Sequence, residues 1–147
     1  MVGEYITNSY LPASQQGRRF VEEGYAGAAE LASWKSRVGH AWPNVSVRRL
    51  DAPKKRIAFG DSFVVEVAVV LNGLSPDDVV VEILMNHPRQ QERYELAATG
   101  TIGETGEQRF VFELTPDLCG QLEYRIRAYP CHALLTHPFE MGLMIWV

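Results

Sequence analysis

The spacing of apolar side chains changes once along the chain, near Pro43. Before this point apolar residues follow one another at intervals of three and four, which places them on one face of an α-helix. The pattern predicts one long N-terminal α-helix within residues 1–43, with Ser14 as its candidate N-cap and Pro43 as its stop signal. The predicted apolar face consists of Phe20, Gly24, Gly27, Leu31, Trp34, Val38 and Ala41.

From residue 44 onward apolar side chains alternate with polar ones, which is the period of a half-buried β-strand. About seven short stretches of this kind, separated by turn residues, are typical of an antiparallel β-sandwich. Because no helical pattern lies between them, βαβ units are excluded. We therefore expect a mainly β domain at 44–147, with strands within 45–48, 63–71, 79–85, 94–102, 110–114, 122–128 and 139–147.

One tyrosine bears on the type of sandwich. Tyr124 stands near the start of the sixth predicted strand, just after a turn at residues 116–120. A tyrosine in this place can return its hydroxyl to the preceding backbone, which is the tyrosine corner of immunoglobulin-like sandwiches. An ordinary half-buried strand tyrosine explains Tyr124 equally well. The fold class expected is an immunoglobulin-like antiparallel β-sandwich preceded by one helix.

Composition and charge narrow the classes of partner. The 147 residues are 46% hydrophobic and 22% charged, which suits one folded domain rather than a disordered chain. Fourteen basic residues against eighteen acidic ones give a net charge of −4 without a basic block, so nucleic acid is not an expected partner. No apolar run approaches the roughly 20 residues that span a bilayer, and no secretory leader is visible. These features predict a cytoplasmic protein with no membrane partner.

The cysteines and histidines give no strong metal or disulfide signal. A predicted strand separates Cys119 from Cys131, so two free thiols are expected rather than a bridge. Cys131, His132 and His137 lie in one loop, but their spacing matches no standard zinc pattern. We therefore expect no metal site.

Catalytic patterns are equally weak. No serine stands in a Gly-x-Ser-x-Gly turn, and the adjacent carboxylates of Asp77 and Asp78 point in different directions, which argues against an acid–base pair. A cofactor lysine needs a buried pocket, which a helix surface or a polar connection does not offer. The lysines are Lys35, Lys54 and Lys55. The sequence predicts no catalytic or cofactor-binding residue.

Two aromatic residues are candidates for sugar stacking. Trp146 lies in the last predicted strand and Tyr129 at the end of the sixth, and both are expected to point outward. If the last two strands pair as a hairpin, their rings become near neighbours. Sugar sites present aromatic rings with polar groups around them. Packing of these rings at a buried edge or interface is the favoured alternative.

Several motifs in order resemble one enzyme family. They are YLPA at 10–13, LASWKSRV at 31–38, WPNV at 42–45, LNGLSPDDVVVE at 71–82, Tyr124, RAYP at 127–130, HALL at 132–135 and HPFEMGL at 137–143. The first three resemble the segment that closes the catalytic region of short bacterial and archaeal α-glucan (glycogen/maltodextrin) phosphorylases. The others resemble the sandwich that follows it. The resemblance covers nearly the whole chain.

The resemblance implies a role different from that of the parent enzymes. Those enzymes are pyridoxal-phosphate-dependent and use phosphate to cleave α-1,4-glucan ends, which releases glucose 1-phosphate. Their cofactor lysine, phosphate-binding arginines and glucan cleft belong to two large α/β domains whose motifs are absent here, so no catalytic residue carries over. The chain is similar to the C-terminal domain alone, either as a fragment or as a stand-alone protein.

Two functions follow from the resemblance. The first is a non-catalytic accessory domain that packs on the catalytic domains or on a neighbouring subunit, with the apolar helix face partly uncovered in the isolated chain. The candidate interaction surface is Leu31, Trp34, Val38 and Trp42. The alternative is a glycan-binding module that tethers the enzyme to α-glucan through Tyr129 and Trp146.

Overall fold

Eight β-strands and one α-helix make up the part of the chain that the computed structural model describes, namely residues 25–53, 58, 60–87, 90–115 and 122–147. The helix, α1, spans Ala26–Ala41. The strands are β1 (Ser46–Arg49), β2 (Phe63–Val70), β3 (Val79–His87), β4 (Gln90–Glu95), β5 (Ala97–Ile102), β6 (Glu107–Leu114), β7 (Glu123–Pro130) and β8 (Ile145–Trp146).

The strands form two four-stranded sheets that pack face to face, which confirms the antiparallel β-sandwich. The first sheet has the order β1-β2-β6-β5 and the second the order β4-β3-β7-β8. Along β2 in the first sheet and β3 in the second, every second side chain points inward, as the sequence pattern predicts. These buried side chains are Phe63, Val65, Val67 and Val69 on β2, and Val79, Val81, Ile83 and Met85 on β3.

The stretch at 94–102, expected as one strand, is divided between the two sheets. Strand β4 pairs with β3 in the second sheet, whereas β5 pairs with β6 in the first. The chain changes sheet at Leu96, whose side chain is buried and whose N–H donates to the carbonyl of Val81 at 2.8 Å. Both strands lie at sheet edges and are largely exposed, so their apolar alternation is weak. This division raises the strand count to eight.

The last predicted strand, 139–147, is also shorter than expected. Only Ile145–Trp146 is a strand, and it pairs antiparallel with β7. Turns precede it, with the N–H of Gly142 bonded to the carbonyl of Phe139 at 3.0 Å. Gly142 has φ 64°, a left-handed conformation that ends an extended strand and that glycine adopts at little cost. The apolar residues before it therefore belong to a folded loop.

The described residues contain the second part of the predicted helical segment. Tyr25 has φ 64°, a left-handed conformation that interrupts the predicted helix, and α1 starts at Ala26. Ser14, Phe20 and Gly24 lie outside the described residues. At the other end α1 stops at Ala41, and a 3-10 turn at Trp42–Asn44 follows, in agreement with Pro43 as a stop signal.

The hydroxyl of Tyr124 connects the two sheets. It accepts a hydrogen bond from Nη1 of Arg49 at 2.8 Å, and Arg49 also pairs with the carboxylate of Asp51. Arg49 belongs to the first sheet and Tyr124 to the second. The turn at 116–120 that a tyrosine corner would require lies outside the described residues. The hydrogen bond from Arg49 to Tyr124 therefore joins the two sheets at this end of the sandwich.

Candidate interaction sites

Asp78 organises the junction between α1 and the sandwich. It ends a 3-10 turn, Pro76–Asp78, that joins β2 to β3. Its carboxylate accepts the N–H of Ser75 at 2.9 Å, while the Ser75 hydroxyl accepts the N–H of Asp77 at 3.4 Å. This reciprocal arrangement is a capping box, which satisfies backbone donors that a short helical turn leaves unpaired. The turn therefore holds the Asp78 side chain in one orientation.

The same carboxylate reaches α1. Nε1 of Trp34 donates to Oδ1 of Asp78 at 2.7 Å, and the guanidinium of Arg37 lies 3.4 Å from both carboxylate oxygens. The carbonyl of Asp78 also accepts the N–H of Cys131 at 2.8 Å. One residue thus joins the helix, the β2–β3 turn and the segment after β7. The expectation for Asp77 and Asp78, that they form no acid–base pair, missed this role, although Ser-x-x-Asp before an apolar run is a recognised capping signal.

Two further charged contacts fix α1 to the loop after β7. Lys35 forms an ion pair with Glu140, and this contact, together with the Thr136 N–H, holds the pKa of Glu140 below its usual range. Glu30 lies 3.6 Å from Nε2 of His132. The His132 ring also packs against Trp34, with ring centroids 4.8 Å apart. These contacts orient the helix, although half-exposed ion pairs add little stability individually.

The four residues expected to form an interaction surface are buried inside this chain. Their exposed fractions are 8% for Leu31, 4% for Trp34, 0% for Val38 and 7% for Trp42. They share one hydrophobic cluster with the inner faces of both sheets. The expectation that this helix face lies partly uncovered is therefore wrong. Because α1 packs through this face on its own sandwich, any docking to another domain must use different side chains.

A buried carboxylate marks the outer face of the second sheet. Glu82 on β3 is 1% exposed, although its side chain points away from the core. It forms an ion pair with Arg127 on β7, accepts the Tyr129 hydroxyl at 3.1 Å, and lies 3.6 Å from Nε of Arg93. A buried charge is tolerated only with partners of this kind, and removing one partner is costly.

Three aromatic rings surround the Arg127 guanidinium. Its Cζ lies 4.7 Å from the centroid of Phe139, 5.5 Å from that of Trp146 and 5.6 Å from that of Tyr129. Such cation–π contacts stabilise a guanidinium that is withdrawn from water. We call Glu82, Arg127, Tyr129, Phe139 and Trp146 the Arg127 cluster. It covers part of the outer face of the second sheet.

The two candidate sugar-stacking residues differ in exposure. Trp146 is 52% exposed, as expected, whereas Tyr129 is 5% exposed beneath Phe139. The hairpin-like pairing of β7 with β8 is present, with Arg127 opposite Trp146. Tyr129 therefore does not offer a ring to solvent. Burial and the adjacent Glu82 carboxylate raise the pKa of Tyr129 to about 12, because both disfavour the phenolate.

The histidines and the cysteine of the 131–137 loop serve local structure. Nδ1 of His132 accepts the N–H of Leu134 at 3.2 Å, and Nδ1 of His137 accepts the N–H of Phe139 at 3.1 Å. Cys131 is a free thiol whose pKa is raised by burial and by the nearby Glu95 carboxylate. Cys119 lies outside the described residues. Among the described residues, no group of three or more potential ligands is placed to hold a metal ion.

The described part of the chain does not fit pyridoxal phosphate. Lys35 is the lysine in that part, and its ammonium is engaged with Glu140 at the surface rather than placed in a pocket. Lys54 and Lys55 lie outside the described residues. A Schiff-base lysine requires a desolvated pocket to lower its pKa.

An open groove runs beside the solvent side of α1. It is lined by Ser33, Ser36, Arg37, His40, Ala41 and Asn72. The amide of Asn72 donates to the carbonyl of Ala41 at 3.0 Å, which ties the β2–β3 connection to the end of the helix.

α1 is neither long enough nor apolar enough to cross a membrane. The same holds for every other helix in the described ranges.

Comparison with known proteins relates the sequence to the C-terminal domain of glycogen phosphorylases. Residues 42–147 match the family described as the glycogen phosphorylase C-terminal domain. The chain is 30% identical over 153 aligned residues to a glycogen phosphorylase of Mycobacterium tuberculosis, and the alignment covers 98% of this chain and 18% of that protein. It is also 30% identical to a maltodextrin phosphorylase of Thermococcus litoralis, with 99% and 18% coverage. The chain therefore spans about a fifth of the length of these relatives.

Replacing Asp78 with alanine should lower the free energy of unfolding by about 2–4 kcal/mol. Hydrogen bonds to a charged group contribute about 1.5–3 kcal/mol, and the buried Trp34 N–H would lose its partner. The measurement is urea unfolding followed by circular dichroism. Asp77→Ala is the matched control, because its side chain is exposed and should change stability by less than about 0.5 kcal/mol. Equal losses in the two variants would contradict a specific role for Asp78.

Stability between pH 10 and 12 should fall more steeply in the wild type than in Tyr129→Phe. The pKa of Tyr129 is about 12 in the folded chain and about 10 in an unfolded one. The contribution of a raised pKa is complete below the unfolded value and is lost as the pH rises to the folded value. Melting temperatures across this range measure the difference, with Tyr25→Phe as an exposed control. Parallel curves for wild type and Tyr129→Phe would refute the assignment.

Proposed function

The chain belongs to the glycogen phosphorylase C-terminal domain family, and on this premise we propose that it is a non-catalytic accessory domain of a glycogen or maltodextrin phosphorylase. Its role is structural: it packs against the catalytic region of the enzyme or against a neighbouring subunit. The observation that carries the proposal is the match of nearly the whole chain to about a fifth of each relative.

The side chains available for chemistry support the non-catalytic part of this proposal. Lys35, His132, His137 and Glu82 are engaged in contacts that shape the fold. In this proposal pyridoxal phosphate and the α-1,4-glucan cleft belong to the catalytic region, and the enzyme works in the cytoplasm. We place the border between the helical segment and the sandwich at residues 43 and 44.

The proposal is tested with a chimera in which this chain replaces the matching segment of the Mycobacterium tuberculosis glycogen phosphorylase. A truncated enzyme without that segment should lose activity or thermal stability, because the surface that the domain covers becomes exposed. The chimera should regain a substantial part of the loss. Release of glucose 1-phosphate from glycogen and phosphate is the activity measured.

Two outcomes would overturn the proposal. A chimera no better than the truncated enzyme would show that the chain does not supply the accessory domain. Glucose 1-phosphate formed by the isolated chain with pyridoxal phosphate, above a blank without protein, would show that it is catalytic.

A second candidate function is weak glycan binding at Trp146. The ring is half exposed and is held in place by the guanidinium of Arg127, so it presents a fixed apolar surface. A stacking platform for a sugar chain ordinarily uses more than one ring with polar groups around it. Tyr129 is buried, and Tyr94 stacks on Phe112 at 5.1 Å. A single ring favours low affinity.

We expect maltoheptaose to bind the chain with a dissociation constant in the millimolar range or weaker, which corresponds to about 4 kcal/mol at most. Titration followed by amide chemical shifts measures this affinity. Trp146→Ala removes the proposed platform, and Tyr25→Ala removes an exposed ring elsewhere as the control. Saturable binding at micromolar maltoheptaose that Trp146→Ala abolishes would make the tethering module the better function.

A further inference from the structure

We propose that the outer face of α1, together with the groove beside it, is the surface that docks onto the catalytic region preceding this segment in a phosphorylase. The inference rests on the proposed function and names the surface that serves it. The buried stripe of α1 is formed by Gly27, Leu31, Trp34, Val38 and Ala41, and the outer face is the opposite side of the helix. It consists of Tyr25, Ala29, Ala32, Ser33, Ser36, Gly39 and His40, all of which are exposed.

The position of α1 in the alignments identifies the partner. The C-terminal domain family matches from residue 42, one residue after α1 ends. The alignments to the phosphorylases nevertheless include 98–99% of this chain, so they extend over the helix. Those relatives are about five times longer than the chain. α1 therefore stands between the sandwich and the large remainder of a phosphorylase.

The charged side chains of α1 lie at the sides of the helix, next to its buried residues, and each contacts the sandwich, although those of Glu30 and Arg37 stay more than half exposed. Glu30, Lys35 and Arg37 flank the buried stripe and pair with His132, Glu140 and Asp78 respectively. A helix that faces only water normally carries its charged side chains on the solvent side. Depletion of charge is instead the compositional mark of the centre of a protein interface.

The shape of the outer face suits close packing of another element. Alanine and serine have short side chains and glycine has none. Because the distance between packed helices depends on the side chains at their contact, another element can approach this face closely. The groove continues this surface and adds polar groups from Arg37, His40 and Asn72. Tyr25, which is 67% exposed, stands at the start of the same side. The surface thus combines a flat centre, a polar rim and an exposed aromatic side chain.

Docking on the outer face does not require α1 to leave the sandwich, because the helix is attached to the core by its opposite side. Leu31, Trp34 and Val38 hold α1 against its own domain, so the outer face stays available without any rearrangement. Docking on this face would fix the orientation of the domain relative to the catalytic region through one rigid helix.

The test uses two substitutions on the outer face, Ala32→Arg and Ser36→Glu, made both in the isolated chain and in the chimera described above. Opposite charges are chosen so that a shared effect reports on volume and burial rather than on the sign of the charge. Thr101→Arg, on the exposed edge strand β5, is the matched control. The readouts are the melting temperature of the isolated chain and the rate at which protease releases the domain from the chimera.

Both outer-face variants should leave the melting temperature of the isolated chain within about 2 °C of the wild type, since exposed substitutions rarely change stability. In the chimera both should speed proteolytic release by roughly tenfold or more, because a charged side chain buried without a partner destabilises the interface. Thr101→Arg should change neither value.

Two results would overturn the inference. Release rates equal to that of the unsubstituted chimera would show that another surface docks. Strong destabilisation of the isolated chain would show that the outer face is already covered within it. Failure of the proposed function is a separate outcome, because the unsubstituted chimera would then behave like the truncated enzyme.

Discussion

The carboxylate of Asp78 is the constraint on which the relation between helix and sandwich depends. It caps its own turn and accepts the indole N–H of Trp34, while its carbonyl accepts the N–H of Cys131. Hydrophobic burial of the α1 stripe supplies most of the attraction but leaves rotation and translation of a helix on a sheet poorly defined. A directional hydrogen bond to a carboxylate held in a capping box removes that freedom. The helix can therefore present a defined face to a second body.

The inward faces of β2 and β3 were predictable from sequence because an apolar side chain occupies every second position, even though Ala68 and Glu82 on the opposite faces are buried as well. The positions of Val65, Val67, Val81 and Ile83 are set by one inward face on each sheet, and no other element competes for them. Edge elements are harder to predict. Strand β5 buries no residue, so its pattern carries no alternation, and the change of sheet at Leu96 depends on pairing partners far away in sequence.

In the candidate sites, too, features set by the local sequence pattern were predictable, whereas features set by contacts distant in sequence were not. The part of the predicted apolar face that the structure describes, from Gly27 to Ala41, was correctly identified, but whether the sandwich or another domain covers it depends on tertiary packing. Trp146 was correctly expected to face outward. Tyr129 was not, since the loop that places Phe139 over its ring has no periodic signal. Glu82 could not be recognised, because its partner Arg127 lies 45 residues away and comes beside it only through the β3–β7 register.

The four sheet edges have a consequence for the solubility of the domain. An unpaired strand edge can recruit another edge and start aggregation, and natural sheets block this with short strands, bulges and charges. Here β8 has two residues, β5 has an irregularity between Ala98 and Gly100, and β1 and β4 carry charged side chains such as Arg48 and Arg93. Each edge is thus poorly suited to continue a sheet into a neighbouring molecule. Two copies of the domain can therefore meet without exchanging strands through the edges that the structure describes.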